Sequence, residues 1–325
     1  KTLLRRLITK LSSMKIIFFG TPEFAAYNLR AIIEAGYDVA AVVTMPDKIA
    51  GRGHKLLQSD VKKVALEKGL PVLQPVKLRD AEFIEQLKAI NADLFVVIAF
   101  RMLPEIVWGM PRLGTFNLHA SLLPRYRGAA PINRAIMNGE TQTGVTTFFL
   151  SHEIDTGNII EEREEEILPE DNAGSLHDKL MILGANMTLD TLAKIEDGTV
   201  RSFPQPEGEF VAAPKIFKED CLIKWDAAAE TVHNQVRGLS PYPAAFTHIE
   251  VENKGVMDVK VLKTRITTNH KPLKPGEIEV EKESLTAGTA TLPVEILELQ
   301  PAGKRAMSID AFLRGYKPLS IKMES

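Results

Sequence analysis

Asn117 and His119 stand two residues apart in Thr115-Phe-Asn-Leu-His119, a short run that reads as a strand. Strand side chains alternate between faces, so both side chains share one face. An amide NH2 and an imidazole on one face can donate hydrogen bonds to a single oxygen, as stabilising an oxyanion requires. Further on, Asp155 lies in the turn His152-Glu-Ile-Asp-Thr-Gly157, where a carboxylate could reach His119. Between them, Ala120-Ser-Leu-Leu-Pro-Arg-Tyr-Arg-Gly-Ala-Ala-Pro131 is a loop structured by Pro124, Gly128 and Pro131. It carries Arg125 and Arg127 with no acid nearby. The set is a candidate Asn/His/Asp site with no serine or cysteine nucleophile attached. An Asn and a His on a strand also suit plain structural roles, and the residues by themselves leave that alternative open.

The elements that must position this set can be read along the chain. Lys15-Ile-Ile-Phe-Phe-Gly20 is a continuous apolar run ending in glycine, as expected of a strand buried on both faces of a parallel sheet. Pro22 opens a helical stretch closed by Gly36, and residues 38–44 form the next strand. A polar loop runs from Met45 to about Gln58, and Ser59 caps a helix ending before Gly69. A short strand at 71–73, a helix at 80–90 and a long buried strand at 92–100 follow. This alternation predicts a Rossmann-like α/β domain with a parallel sheet. Residues 144–150 and 158–161 read as a late hairpin, and 175–195 as a long helix. The stretch Phe203-Pro-Gln-Pro-Glu-Gly-Glu-Phe-Val-Ala-Ala-Pro214 holds three prolines and reads as a linker. Beyond it, short β-rich runs between 245 and 300 predict a small β-barrel.

Composition limits the possibilities. A chain of 325 residues is long enough for two cores. Forty Lys and Arg against 42 Asp and Glu give a net charge of −2, which excludes a uniformly basic nucleic-acid coat but not a local basic patch. A single cysteine, Cys221, excludes an intramolecular disulfide framework and a cysteine-rich zinc site. The seven histidines lack metal-ligand spacing, so no metal is expected. No apolar run reaches membrane-spanning length, so no membrane partner is expected. Gly20-Thr-Pro-Glu lacks the glycines of a dinucleotide fingerprint, and no P-loop is present. Residues 1–13 are basic and acid-free. They read as an upstream extension before Met14, with an organellar transit peptide as the alternative.

Several motifs together resemble the folate-dependent formyltransferases: Asn117-Leu-His119, SLLPRYRGAAPI at 121–132, TGVT at 143–146 and IDTG at 154–157. The loop at 45–56, the Gly238-Leu-Ser-Pro-Tyr-Pro-Ala244 segment and the stretch at 299–307 resemble the tRNA-directed branch of that family. The resemblance spans about residues 14–318. It implies a catalytic domain at 14–203, a linker at 204–215 and an OB-like β-barrel tRNA-binding domain at 216–325.

The resemblance also implies a reaction. The donor is 10-formyltetrahydrofolate, leaving tetrahydrofolate, and the acceptor is the methionine α-amine of initiator methionyl-tRNA. The amine attacks directly, Asn117 and His119 hold the oxyanion, and Asp155 supports His119 and the departing proton. Ser121, Leu122, Leu123 and Pro124 line the folate pocket. Arg101, in Ala99-Phe-Arg101, stands where relatives carry a glycine and puts pocket details in question. For the tRNA, Lys48, Arg52, His54 and Lys55 in the 45–58 loop are expected to meet phosphates. Lys48 replaces the arginine usual there and keeps its charge without the planar fork. Residues 207–325 hold sixteen Lys and Arg against seventeen Asp and Glu, so tRNA contact there would need clustering. Lys215, Arg237, Lys304 and Arg305 are the candidates. A monomer in the bacterial cytoplasm is expected, with an organelle left open. The rival readings are a formyltransferase acting on a sugar-nucleotide or purine-precursor amine, and a noncatalytic RNA-binding protein on the same scaffold.

Overall fold

The computed structural model describes residues 14–50 and 55–323, so Arg52, His54 and the 1–13 extension lie outside the described residues. The chain divides into two compact units. One takes in the chain up to Arg127 with Gly144–Glu165 and Asp178–Ala212. The other takes in Gly128–Thr143, Glu166–His177 and the chain from Ala213.

The apolar run KIIFFG becomes β1 (Lys15–Gly20), buried from Ile16 onward. It leads through Pro22 into α1 (Glu23–Glu34), then β2 (Asp38–Val43). The stretch read as a loop contains an antiparallel hairpin, β3 (Lys48–Ala50) with β4 (Lys55–Leu57). Ser59 caps α2 (Asp60–Glu67), its Oγ accepting from Lys62 N at 3.0 Å. Next come β5 (Val72–Leu73), α3 (Ala81–Ile90), β6 (Leu94–Ile98), α4 (Glu105–Trp108) and β7 (Thr115–His119). They are followed by β8 (Arg127–Gly128), α5 (Pro131–Met137), β9 (Gln142–Phe149), β10 (Ile159–Glu166) and α6 (Ala173–Glu196).

The first sheet runs β10-β9-β7-β6-β1-β2-β5. Pairing is parallel from β5 through β7. It turns antiparallel at β9, which the alternation of strands and helices did not foretell. Strand order reverses between β1 and β6, so their carboxyl ends open a crevice of the kind in which α/β sheets hold ligands. Gly20, Ala99 and His119 sit at those ends. Thr188 Oγ1 donates to Asn28 Oδ1 at 3.1 Å, and Asn28 Nδ2 donates to Phe24 O at 2.9 Å.

The division of the chain falls within β11 (Ala212–Ala213), and the other unit holds α7 (Lys218–Cys221) and α8 (Ala229–Leu239). Its strands are β12 (Ala245–Val251), β13 (Gly255–Ile266), β14 (Ile278–Val280), β15 (Leu285–Ala287), β16 (Val294–Pro301) and β17 (Met307–Ser308). Helix α9 (Ile309–Gly315) and β18 (Pro318–Lys322) complete it. The strands form an antiparallel sheet in the order β14-β15-β16-β13-β12-β18, and β14 returns against β18, nearly closing a barrel. Trp225, 1% exposed, anchors the core, and its Nε1 donates to Thr247 Oγ1 at 2.9 Å. Helix α8 adds Val232, Val236 and Leu239 to this core. This helix precedes the β-rich stretch at 245–300 and was not anticipated, although its apolar residues recur at helical spacing.

At the amino ends of the first sheet's central strands, Asp93 ties three segments together. Its Oδ2 accepts from Lys15 N at 2.8 Å and its Oδ1 from Arg112 Nε at 2.6 Å. The Lys15 N–H first, and Arg112 second, hold its carboxyl below the usual range, against burial. A carboxyl depressed in this way stabilises the fold above its unfolded value of about 3.9 and ceases to do so as pH falls through its folded value. Asp93→Asn is therefore expected to destabilise by about 1–2 kcal/mol at pH 7. Thermal denaturation should show a lower Tm than the parent at pH 7 and a narrowing gap below about pH 4. A gap of constant size would exclude the carboxylate as its source.

Candidate active site

β7 delivers Asn117 half-buried and His119 7% exposed, two residues apart on one face. Asn117 lies opposite Val97 of β6 and Phe148 of β9, and His119 opposite Thr146 of β9. Asn117 Oδ1 is buried without a hydrogen-bond partner. Buried amide oxygens are ordinarily paired, so an orphan at a crevice points to a polar ligand.

The backbone oxygen of Tyr126 lies 2.8 Å from His119 Nε2. A carbonyl can only accept, so Nε2 carries the proton. Nδ1 faces Asp155 Oδ2 at 3.8 Å, within ion-pair range but beyond a hydrogen bond. A neutral ring thus offers its Nδ1 lone pair, and a protonated ring directs the new N–H toward Asp155. The ring's N–H is already used, which leaves the Asn117 amide as the donor for an oxyanion.

The turn carrying Asp155 is held by backbone contacts. Asp155 has φ of 55°, a left-handed conformation that Asp tolerates better than most residues. A Cβ on Gly157 would collide with the Phe149 carbonyl oxygen. Gln205 Nε2 donates to the carbonyls of Asp155 and Gly157 at 2.8 and 2.9 Å. Gln205 Oε1 accepts from Arg127 Nε and Nη2 at 3.0 and 2.5 Å. Nearby, Phe203 exchanges backbone hydrogen bonds with Ile159, and Tyr126 N donates to Val211 O at 2.5 Å. The proline-rich stretch read as a linker therefore braces both sides of the site. Gln205 and Tyr126 escaped the sequence reading, because a glutamine among prolines carries no signature of the carbonyls it binds.

Of the expected folate residues, Ser121 is fully buried and donates from Oγ to Arg125 O at 2.7 Å. Thr146, from the TGVT motif, fixes the turn: it donates to Ser121 O at 2.7 Å and accepts from Leu123 N at 3.1 Å. Leu123 packs inward with Phe148 and Ile159, and Pro124 is buried. Leu122 stays half-buried, and a Cβ on Gly144 would collide with the Arg163 carbonyl and with Leu122. Arg101 donates from Nη1 to Val76 O at 2.8 Å and from Nη2 to Pro75 O, and burial lowers its pKa. Backbone oxygens thus hold the Arg101 guanidinium.

Lys48 is exposed and Lys55 lies in β4. Asp47, the loop's one acid, is bound by Lys62 Nζ at 2.6 Å and Gln74 Nε2 at 2.7 Å, and these bonds lower its pKa. Lys215, Lys304 and Arg305 are exposed. Arg237 is spent internally on Asn234 Oδ1 at 2.8 Å and Asp171 O at 3.0 Å, with burial lowering its pKa. Among the described residues, no cluster of three or more His, Cys, Asp or Glu could hold a metal ion, and no helix is long and apolar enough to cross a membrane.

Comparison with known proteins agrees with this architecture. The family described as formyl transferase matches residues 14–192, and formyl transferase, C-terminal domain, matches residues 215–317. The chain belongs to the formyl transferase family. It is 49% identical over 312 residues to methionyl-tRNA formyltransferase of Bacteroides fragilis, covering 94% of this chain and 96% of that one. The enzyme of the same name from Flavobacterium johnsoniae is 46% identical over 306 residues, 94% of this chain and 97% of that one. Among solved structures, an N-formyltransferase from Helicobacter canadensis, in complex with folinic acid and dTDP-3-aminofucose, has a TM-score of 0.64 at 20% identity, covering 89% and 99% of the two chains. HypX from Aquifex aeolicus in complex with tetrahydrofolic acid has a TM-score of 0.62 at 21% identity; the match covers 94% of this chain but 47% of that one. At such identity these structures establish the shared fold.

Gln205→Ala removes the bridge from Arg127 to the Asp155 turn. Misplacing a reacting group by about 1 Å can cost roughly 100-fold. The expected outcome is a 10- to 100-fold lower kcat for formyl transfer, by that rule, with unchanged KM for the formyl donor and a fold that still melts cooperatively. A kcat within about twofold of the parent would remove Gln205 from the positioning of the site.

Proposed function

We propose that this chain transfers the formyl group of 10-formyltetrahydrofolate to the α-amine of initiator methionyl-tRNA. The observation that carries this reading is the 49% identity, over nearly the full length of both chains, to a methionyl-tRNA formyltransferase. The site chemistry supports it. The acceptor amine is itself the nucleophile, which suits a site whose neighbouring serine, Ser121, has its hydroxyl committed to the Arg125 carbonyl. The Ser121–Pro124 turn, held by Thr146, offers backbone groups for the pteridine of the donor.

In this reading the neutral amine attacks the formyl carbon, giving a tetrahedral centre with an oxyanion and an ammonium. The Asn117 amide, unpaired at its oxygen in the free chain, turns its NH2 to the oxyanion. The ammonium proton passes to His119 Nδ1, and the Asp155 carboxylate stabilises the imidazolium. The proton then goes to N10 of the folate as the carbon–nitrogen bond breaks, leaving formylated methionyl-tRNA and tetrahydrofolate. This differs from the role expected from sequence, in which His119 shares the oxyanion; the Tyr126 carbonyl is the reason. The relatives are bacterial, and we assign the reaction to translation initiation in the cytoplasm.

The test is formyl transfer from 10-formyltetrahydrofolate to charged initiator tRNA. Charged elongator methionine tRNA and a dTDP-amino sugar serve as control acceptors. Product on the initiator alone is expected; product on the sugar alone would replace the acceptor. Asn117→Ala is expected to lower kcat by about 100- to 1000-fold, the usual cost of one oxyanion donor, with tRNA affinity retained. A kcat near the parent's would remove Asn117 from the oxyanion.

A further inference from the structure

A cavity of about 580 Å³ opens on the outer face of the barrel, and none of the residues assigned above to the transfer chemistry lines it. Strand register builds its floor. Phe246 of β12 lies opposite Lys260 of β13, and Lys260 lies opposite Gln300 of β16. Their neighbours Ala245, Val261 and Leu299 are fully buried in the core, so alternation turns these three outward as one row. Phe217 and Lys218 form one wall and the turn at Gly303 another. Phe217 is 57% exposed, and Lys218 Nζ lies 5.9 Å from the Phe246 ring centroid. The buried Cys221 thiol in the lining donates to Phe217 O at 3.4 Å, and burial raises its pKa, so it adds no charge. The one carboxylate at the rim, Asp258, is engaged by His248 Nδ1 at 2.7 Å.

We propose that this cavity takes one unstacked nucleotide of the tRNA acceptor. The inference rests on the reading that the acceptor is a tRNA. The Phe246 and Phe217 rings offer flat apolar faces for a base, and such stacking tolerates any base. Lys218 and Lys260 place two ammonium groups where its phosphate would lie. Gln300 Oε1 remains to accept from the base edge, since its Nε2 is spent on Lys304 O at 2.8 Å. The volume lies within the 300–1,000 Å³ or so typical of small-ligand sites. An apolar peptide side chain would fill the walls but leave both ammonium groups unanswered. This cluster also gives the nearly neutral barrel a local basic surface that its total charge conceals.

The test measures binding of uncharged initiator tRNA to the full-length chain across a salt series, for the parent and two variants, Phe246→Leu and Lys260→Gln, with Phe246→Tyr as the rescue control. Phe246→Leu keeps an apolar side chain but loses the ring, and is expected to weaken binding roughly tenfold; Phe246→Tyr is expected to restore it. Lys260→Gln is expected to reduce the slope of log Kd against log salt by about one. Crosslinking of tRNA carrying 4-thiouridine, mapped by mass spectrometry, is expected at Phe217 or Phe246. Parent-like affinity and slope in both variants, or crosslinks confined elsewhere, would overturn the proposal. If the parent formylates the tRNA while the variants bind it like the parent, only this inference falls. If the parent formylates no tRNA yet binds uridine monophosphate, and Phe246→Leu abolishes that binding, the acceptor assignment falls and a free-nucleotide site replaces it.

Discussion

The Tyr126 carbonyl accepts a hydrogen bond from His119 Nε2 at 2.8 Å, and the chemistry available to the site follows from that bond. It fixes the tautomer and aims Nδ1 at Asp155, 3.8 Å away. It also leaves the Asn117 amide, whose Oδ1 has no partner, as the neighbouring polar group open to a ligand. Tyr126 itself sits at φ of 59° and is held by Val211 O, so the bond that orients the histidine is in turn set by the segment beyond Pro204.

The same segment reaches the other half of the site. Gln205 spans two carbonyls of the Asp155 turn and the Arg127 guanidinium, linking loops that leave two different strands. The parallel sheet supplies the crevice, through the reversal of strand order between β1 and β6, but not the geometry within it. That geometry comes from side chain-to-backbone bonds: Gln205 at the Asp155 turn and Thr146 at the Ser121–Pro124 turn. Backbone carbonyls suit this role because their positions follow from the fold and cannot be lost by rotamer change. Even the arginine at 101 follows the rule, its guanidinium bonded to the carbonyls of Pro75 and Val76.

Much of this was legible in the residues, and the omissions have physical causes. Period-two spacing puts Asn117 and His119 on one face, and the apolar runs locate β1, β2 and β6. Strand direction was not legible, since an extended run looks the same either way, and β9 turned out antiparallel to β7. The role of Gln205 was hidden because a side-chain amide bonded to two carbonyls leaves no pattern in sequence. Arg237 read as a candidate tRNA contact, yet its guanidinium donates to the carbonyls of residues 168 and 171. The outward row Phe246–Lys260–Gln300 needs the register of three strands, which no single strand's alternation reveals.

The central claim is that Gln205 acts on the reaction through the Asp155 turn. A double-mutant cycle in single-turnover formyl transfer tests it most directly, with Gln205→Ala, Asp155→Asn and the double variant. Residues that act as a unit are strongly non-additive. The expected result is a large loss for Gln205→Ala alone and less than about a twofold further loss in the Asp155→Asn background, that is, near-complete coupling. Losses that multiply, with the same fold-change for Gln205→Ala in both backgrounds, would contradict it.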